Sequence, residues 1–205
     1  WNPVLVAEHI GTLASIHARR FIMQCAIGRD DPQSPAMGVN ARFRPSMFEE
    51  SLDILEKAWT GEAFDYAGAI YNVKGGLLRP PPVKPGRLPL WIGAAHPKAR
   101  ARAVRHRAGF LVAPLAEWGL VERQFTSYDA ECEAQKAGRL PRAAMREMLV
   151  GDSVADAMKR HQPFIDQVYR VQYKPERVGL TYIDKVTGER KPLTSDNPYF
   201  MSEEF

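Results

Sequence analysis

The chain has 205 residues, of which 45% are hydrophobic and 25% charged, and a net charge of +4. This is an ordinary globular composition, large enough for one substantial core. It holds no apolar run of membrane-spanning length and no secretory signal pattern, so a cytoplasmic protein with no membrane partner is expected.

Cys25 sits in an apolar strand-like run and Cys132 in a helix-like one, which predicts two reduced thiols rather than a disulfide. The basic residues are scattered except for Lys98, Arg100, Arg102, Arg105 and Arg107. These alternate with Ala99, Ala101 and Ala103, which reads as the wet side of a helix, and no nucleic-acid partner is expected.

Asn2-Pro3 is a helix start, with Asn as N-cap and Pro in the first helical position. Val6, Ile10 and Leu13 follow at helical spacing, predicting a helix to about residue 19. Phe21 to Ile27 is a nearly continuous apolar run ending at Gly28, as in a strand covered on both faces in a parallel sheet. Residues 30–42 read as a long loop at the mouth of a pocket.

Ser46 and Glu49 have the spacing of a capping box, and Phe48, Leu52, Leu55 and Trp59 then mark one buried helix face. Asp53 and Lys57 are spaced to pair on the wet side. Residues 60–73 read as a small hairpin turning at Ala67-Gly68. Pro80-Pro81-Pro82 is a stiff connector to the next strand.

A helix from Pro97 to about His106, a strand at Phe110-Leu111-Val112 and a long helix over 117–137 closed by Gly138 come next. Met148-Leu149-Val150 reads as another strand. Ser153 and Asp156 cap a helix reaching about Tyr173, with Pro163 as a candidate kink. The segment 174–205 is polar and punctuated by Pro and Gly, with a hairpin around Thr187-Gly188, and weak or partner-dependent order is expected there. The organisation expected is thus one α/β domain over 1–173 and a tail or insertion over 174–205.

Alternating helices and strands at this spacing imply parallel strands with crossover helices. A barrel and a doubly wound open sheet share that pattern, and in both the C-terminal ends of the strands carry the site. The segment Leu88-Pro89-Leu90-Trp91-Ile92-Gly93-Ala94-Ala95-His96-Pro97 has the build of a phosphate seat there. A strand delivers the backbone, small residues admit an anion, and the N–H groups of a helix start face it. Gly93, Ala94, Ala95 and His96 are the candidate contacts, with a plain strand–helix turn bearing a surface histidine as the alternative. The five histidines lack metal-ligand spacing, and no nucleophile elbow or Walker loop is present, so no metal is expected.

Several motifs in order carry a family resemblance. Ala7-Glu8, Leu13, Arg20-Phe21 and Gly28 are similar to a helix with "AE" leading to a "GRF" strand, with Arg19 in place of the glycine. Glu49-Glu50, Leu52, Ile54-Leu55, Trp59-Thr60-Gly61-Glu62, Asp65-Tyr66, Gly68 and Tyr71 follow an "EE-x-L-x-IL … LWTGE-x-x-DY-x-G-x-x-Y" pattern. Pro80 to Val83, Pro89, Trp91-Ile92-Gly93, Pro97 and Ala108-Gly109 follow "PPPV … P-x-WIGG-x-SP … ADG". Gly138-Arg139 and Pro141 fit "GR-x-P". Over residues 2–160 the chain resembles the bacterial luciferase-like, flavin-dependent monooxygenases.

The resemblance implies a (β/α)8 TIM-type barrel of which this chain carries about the fourth to seventh βα units. With strands absent and Trp1 in place of an initiator Met, a truncated product or a fragment needing a partner chain is expected. The resemblance also implies reduced FMN, molecular oxygen and a small organic substrate, with a flavin reductase as supplier and a homo-oligomeric assembly. A deazaflavin-dependent hydride-transfer enzyme and a non-catalytic flavin-binding fragment are the alternatives. It further implies Arg44 as a phosphate-binding arginine, and Ala26, Ile27 and Gly28 as backbone neighbours of the flavin ring. His96 stands where the family often has serine, so that an imidazole would donate in place of a hydroxyl. No catalytic residue is assigned, because the coenzyme carries the hard step.

Overall fold

The structure is a computed structural model that describes residues 1–17, 21–28, 33–80, 88–93, 96–114, 116–178, 180–198 and 200. Two compact units divide the chain, Trp1–Leu111 with Ser127–Ala143 and Val112–Thr126 with Ala144–Phe205.

The first helix, α1 (Pro3–His17), starts where Asn2 Oδ1 accepts the Val4 N–H at 2.9 Å. It buries the small residues Ala7, Gly11 and Ala14, which lets α3 (Arg44–Ala58) approach closely. Trp59, fully buried at the end of α3, donates its indole N–H to the Ala7 carbonyl at 3.2 Å. The apolar run after α1 yields only a short strand, β1 (Met23–Cys25). The loop expected over 30–42 holds a short helix, α2 (Gln33–Ala36), and a 3-10 turn, Ala41–Phe43, in its described part.

The capping box is corrected. α3 begins at Arg44 with Pro45 in its first turn, two residues before Ser46, and its N-cap residue Phe43 makes no side-chain cap bond. Proline is pre-shaped for a first turn, so the start moves upstream and Glu49 is left free to reach another helix. The hairpin forms as β2 (Phe64–Ala67) and β3 (Asn72–Gly76). Its turn is held by the Glu50 carboxylate, which accepts the N–H groups of Ala69, Ile70 and Tyr71 at 2.9–3.2 Å.

The sheet contains β1, β4 (Leu90–Gly93), β5 (Gly109–Val112) and β6 (Arg142–Ala144), in that spatial order. β1 pairs in parallel with β4, and β4 with β5, through Cys25↔Ile92 and Ile92↔Phe110. Leu90, Ile92, Phe110 and Val112 are buried, while Trp91, Gly93 and Leu111 alternate with them and stay half-exposed. Parallel pairing requires crossovers, here through α3 and through α4 (Pro97–Arg105) and α5 (Trp118–Ala134). Tyr128 of α5 stacks on Phe110 with ring centroids 4.9 Å apart and donates its hydroxyl to the Ala108 carbonyl at 2.5 Å.

The strand expected at 148–150 is also corrected. β6 lies at Arg142–Ala144, where the Phe110 N–H reaches the Pro141 carbonyl and the Met145 N–H the Val112 carbonyl. Met148 and Val150 are exposed instead. Backbone pairing with the open edge of β5 outweighs a three-residue apolar signal.

In the second unit, Ser153 Oγ accepts the Asp156 N–H to cap α6 (Val154–Ile165), which continues as a π-helical stretch, Asp166–Tyr173. Segment 174–205 carries β7 (Thr181–Ile183) and β8 (Arg190–Pro192), antiparallel about Thr187-Gly188. Leu193 and Phe200 are buried against Ile165 and Tyr169. Arg170 donates to the carbonyls of Ser195, Asn197 and Phe200 and pairs with Asp166.

Candidate active site

The C-terminal ends of β1 and β4 meet. A Cβ placed on Gly93 would stand 3.9 Å from Ala26 Cβ and 3.9 Å from the Leu111 carbonyl oxygen. Those are ordinary contacts, so the protein's own packing does not demand glycine at this position, and its bareness leaves open surface. Ala26, Ile27 and Gly28 continue outward from the end of β1, all exposed, with Gly28 at a φ of +77°. Ala94 and Ala95 lie outside the described residues.

His96 is the N-cap of α4, and its Nδ1 accepts the Lys98 N–H at 3.2 Å. One ring nitrogen therefore accepts, which leaves the other for the donor role expected of the imidazole. A neutral imidazole that accepts at Nδ1 carries its proton on Nε2, so the exposed edge of the ring is a donor. The backbone share of the seat is smaller than the sequence suggests. Pro97 has no N–H, Lys98 is capped, and Ala99 bonds the His96 carbonyl at 2.9 Å. What α4 offers an anion is the positive end of its dipole and the His96 ring.

Arg44, the first residue of α3, donates from Nε to the Ala41 carbonyl at 3.3 Å. Its Nη1 is buried and has no hydrogen-bond partner among the described residues. A buried guanidinium N–H left unpaired is costly, and an anion is the partner its chemistry fits. No hydrogen bond among the described residues joins Arg44 to Gly93 or His96.

A polar seam joins α3 and α4. Glu49 pairs with Arg102 Nε and with Arg105. Asp53 lies 3.8 Å from His106 Nε2, and Glu56 lies 3.2 Å from His106 Nδ1. α3 and α4 each lie in a crossover between parallel strands, so the two helices run in the same direction. Arg44 precedes Glu49 by five residues and Pro97 precedes Arg102 by five. Both helices follow parallel strands, so both start at the C-terminal end of the sheet, where Gly93 and Ala26 meet. Sequence reasoning missed this seam. Arg102 is not on the wet side of its helix: it is only 11% exposed, with its guanidinium 5.7 Å from the centre of the Phe48 ring. Asp53 faces Tyr66, whose hydroxyl donates to it at 3.3 Å, and His106 rather than standing only on a wet face with Lys57.

The model of the luciferase-like monooxygenase family matches residues 1–199. The chain belongs to that family. Among curated proteins it is similar to the F420-dependent glucose-6-phosphate dehydrogenase of Nakamurella multipartita, 26% identical over 114 residues, covering 54% of this chain and 33% of that protein. Among solved structures it is similar to the monooxygenase RslO1 of Streptomyces bottropensis, with a TM-score of 0.72, 15% identity and coverage of 80% of this chain and 51% of that one. It is also similar to a type II Baeyer-Villiger monooxygenase of Pseudomonas putida in complex with FMN, with a TM-score of 0.62, 19% identity and coverage of 82% and 54%. The luciferase-like chain thus spans about half the length of these solved neighbours and a third of that curated relative. Its parallel α/β sheet is consistent with part of their barrel.

Other polar groups of this luciferase-like chain have different settings. Cys25 is held neutral, its thiol pushed up to about 12 by burial, and it donates to the Trp91 carbonyl at 3.7 Å. Cys132 is also free, and burial raises its pKa too. A cavity of about 480 Å³ lined by Asp129, Cys132, Lys136, Arg139 and Arg142 opens where α5 leads into β6. That is the N-terminal end of the strands, opposite the end that carries sites in such folds. No described helix is long and apolar enough to cross a membrane.

Proposed function

We propose that Arg44 and the start of α4 hold the terminal phosphate of FMN, and that the chain is part of an FMN-dependent monooxygenase acting on a small organic substrate. The observation that carries this reading is the buried Nη1 of Arg44, without a hydrogen-bond partner among the described residues, on a helix that starts at the same end of the sheet as α4. Gly93 and Gly28 offer bare backbone, and Ala26 and Ile27 an exposed apolar surface, where a flat ring system can lie. Reduced FMN supplies the electrons that let molecular oxygen oxidise the substrate. The protein's part is to fix the phosphate, orient the ring and exclude water. A separate flavin reductase is the expected source of reduced coenzyme.

A deazaflavin coenzyme is the second reading, favoured by the similarity to a deazaflavin-dependent dehydrogenase. It too presents a phosphate, so the same contacts serve, and hydride transfer replaces oxygen chemistry. Fluorescence titration with FMN, riboflavin and the deazaflavin coenzyme separates these readings. Binding of FMN well ahead of riboflavin supports the phosphate contact, and preference for the deazaflavin moves the assignment to the second. Oxygen uptake with a reductase and candidate substrates distinguishes an enzyme from a binding fragment. Equal affinity for FMN and riboflavin, or no binding of either coenzyme, overturns the proposal.

A further inference from the structure

We infer that Glu49 is a positioning residue for the phosphate grip, fixing the start of α4 relative to that of α3 by tying Arg102 and Arg105 to α3; this rests on the phosphate reading above.

No hydrogen bond or ion pair among the described residues joins Glu49 to Arg44 or His96. Its carboxylate meets Arg102 Nε and Arg105, and His106 Nε2 stands 3.9 Å away. Each helix rises about 1.5 Å per residue, so the five residues from Glu49 back to Arg44 and from Arg102 back to Pro97 each span roughly 7.5 Å. Slipping either helix by one residue would shift one contact against the other by about 1.5 Å. That is enough to break a hydrogen bond to a shared phosphate. The tie is also placed to be stiff. Arg102 is mostly buried and lies over Phe48, so without Glu49 its charge would be left poorly solvated and would seek another partner. Asp53 and Glu56, one and two turns on, face the same His106 and offer that partner, pulling α4 along α3.

A purely electrostatic view gives the opposite sign. Glu49 is a negative charge near the proposed anion, so neutralising it would strengthen phosphate binding. The sign of the change therefore decides between positioning and charge.

The experiment measures dissociation constants for FMN and for riboflavin, which lacks the phosphate, in the wild-type chain, Glu49→Gln and the swapped pair Glu49→Arg with Arg102→Glu. The expected result is a wild-type preference for FMN of about tenfold or more, the factor that charge-assisted hydrogen bonds supply. In Glu49→Gln that preference falls about fivefold while riboflavin affinity stays within twofold, and the swapped pair recovers it. Tighter FMN binding in Glu49→Gln, an unchanged preference, or equal loss of FMN and riboflavin affinity each overturns the inference while leaving the phosphate reading in place. A wild-type chain that does not prefer FMN overturns the phosphate reading and the inference with it.

Discussion

Trp91 packs across Gly109 so closely that a Cβ on Gly109 would lie 2.7 Å from the indole Cδ2. The two residues are register partners on β4 and β5, and Gly109 is buried. A bare backbone on one strand thus seats the largest side chain of the next, on the sheet face that leads to Gly93.

Gly109→Ala is accordingly expected to destabilise the fold by about 1–3 kcal/mol, as overpacking does in tight interiors. Urea unfolding followed by tryptophan emission measures it. The native emission maximum should move as Trp91 is displaced, and an unchanged midpoint and spectrum would contradict the packing.

Glu50 governs the hairpin turn. Its carboxylate satisfies three N–H groups, and replacing it leaves them without their acceptor. Glu50→Ala should cost about 1–3 kcal/mol, and amide exchange at Ala69, Ile70 and Tyr71 should quicken more than in α1. Uniform exchange across both would mean that the turn holds without the carboxylate.

His96 combines two jobs that substitution can separate. His96→Ala removes the cap and should cost about 1 kcal/mol, whereas His96→Asn keeps a capping acceptor and stability near wild type. Both lose the Nε2 donor, so both should lower the preference for FMN over riboflavin. A His96→Asn chain with full preference would assign His96 to capping alone.

Much of this arrangement was legible because it is local. Pro97 after an apolar strand set the start of α4, and the order of helices and strands gave parallel pairing. The seam was not legible, because it joins residues 53 apart in sequence. Glu49 satisfied a local capping pattern and Arg102 a local amphipathic one, so each had a nearer explanation than the true one. The start of α3 was misread for the same reason: Ser46 competes with Pro45, and proline's fixed φ prevailed. β6 escaped because Arg142–Ala144 has no strand-like side chains and is recruited by the edge of β5. Arg44 follows from the resemblance, and its buried Nη1, without a partner among the described residues, supplies the physical reason for it.

The hairpin of the second unit has a pH signature. Asp184 accepts from Lys191 Nζ at 2.5 Å and from the N–H groups of Val186 and Thr187. The bond to Lys191, then those to Thr187 and Val186, hold its carboxyl down from 3.8 to about 2. A carboxyl depressed in the folded state stabilises above its ordinary value and ceases to as pH falls through the lower one. The melting temperature of wild type should exceed that of Asp184→Asn by a constant margin above about pH 5, and the margin should shrink as pH falls and vanish only below about pH 2. A margin independent of pH would show that charge plays no part in the hairpin.

A crystal structure of the chain grown with FMN tests the central claim most directly. The expected result places the terminal phosphate within hydrogen-bonding distance of Arg44 Nη1 and His96 Nε2, beyond Gly93 at the end of β4. A phosphate bound elsewhere, with Arg44 Nη1 turned to one of the protein's own acceptors, would contradict it.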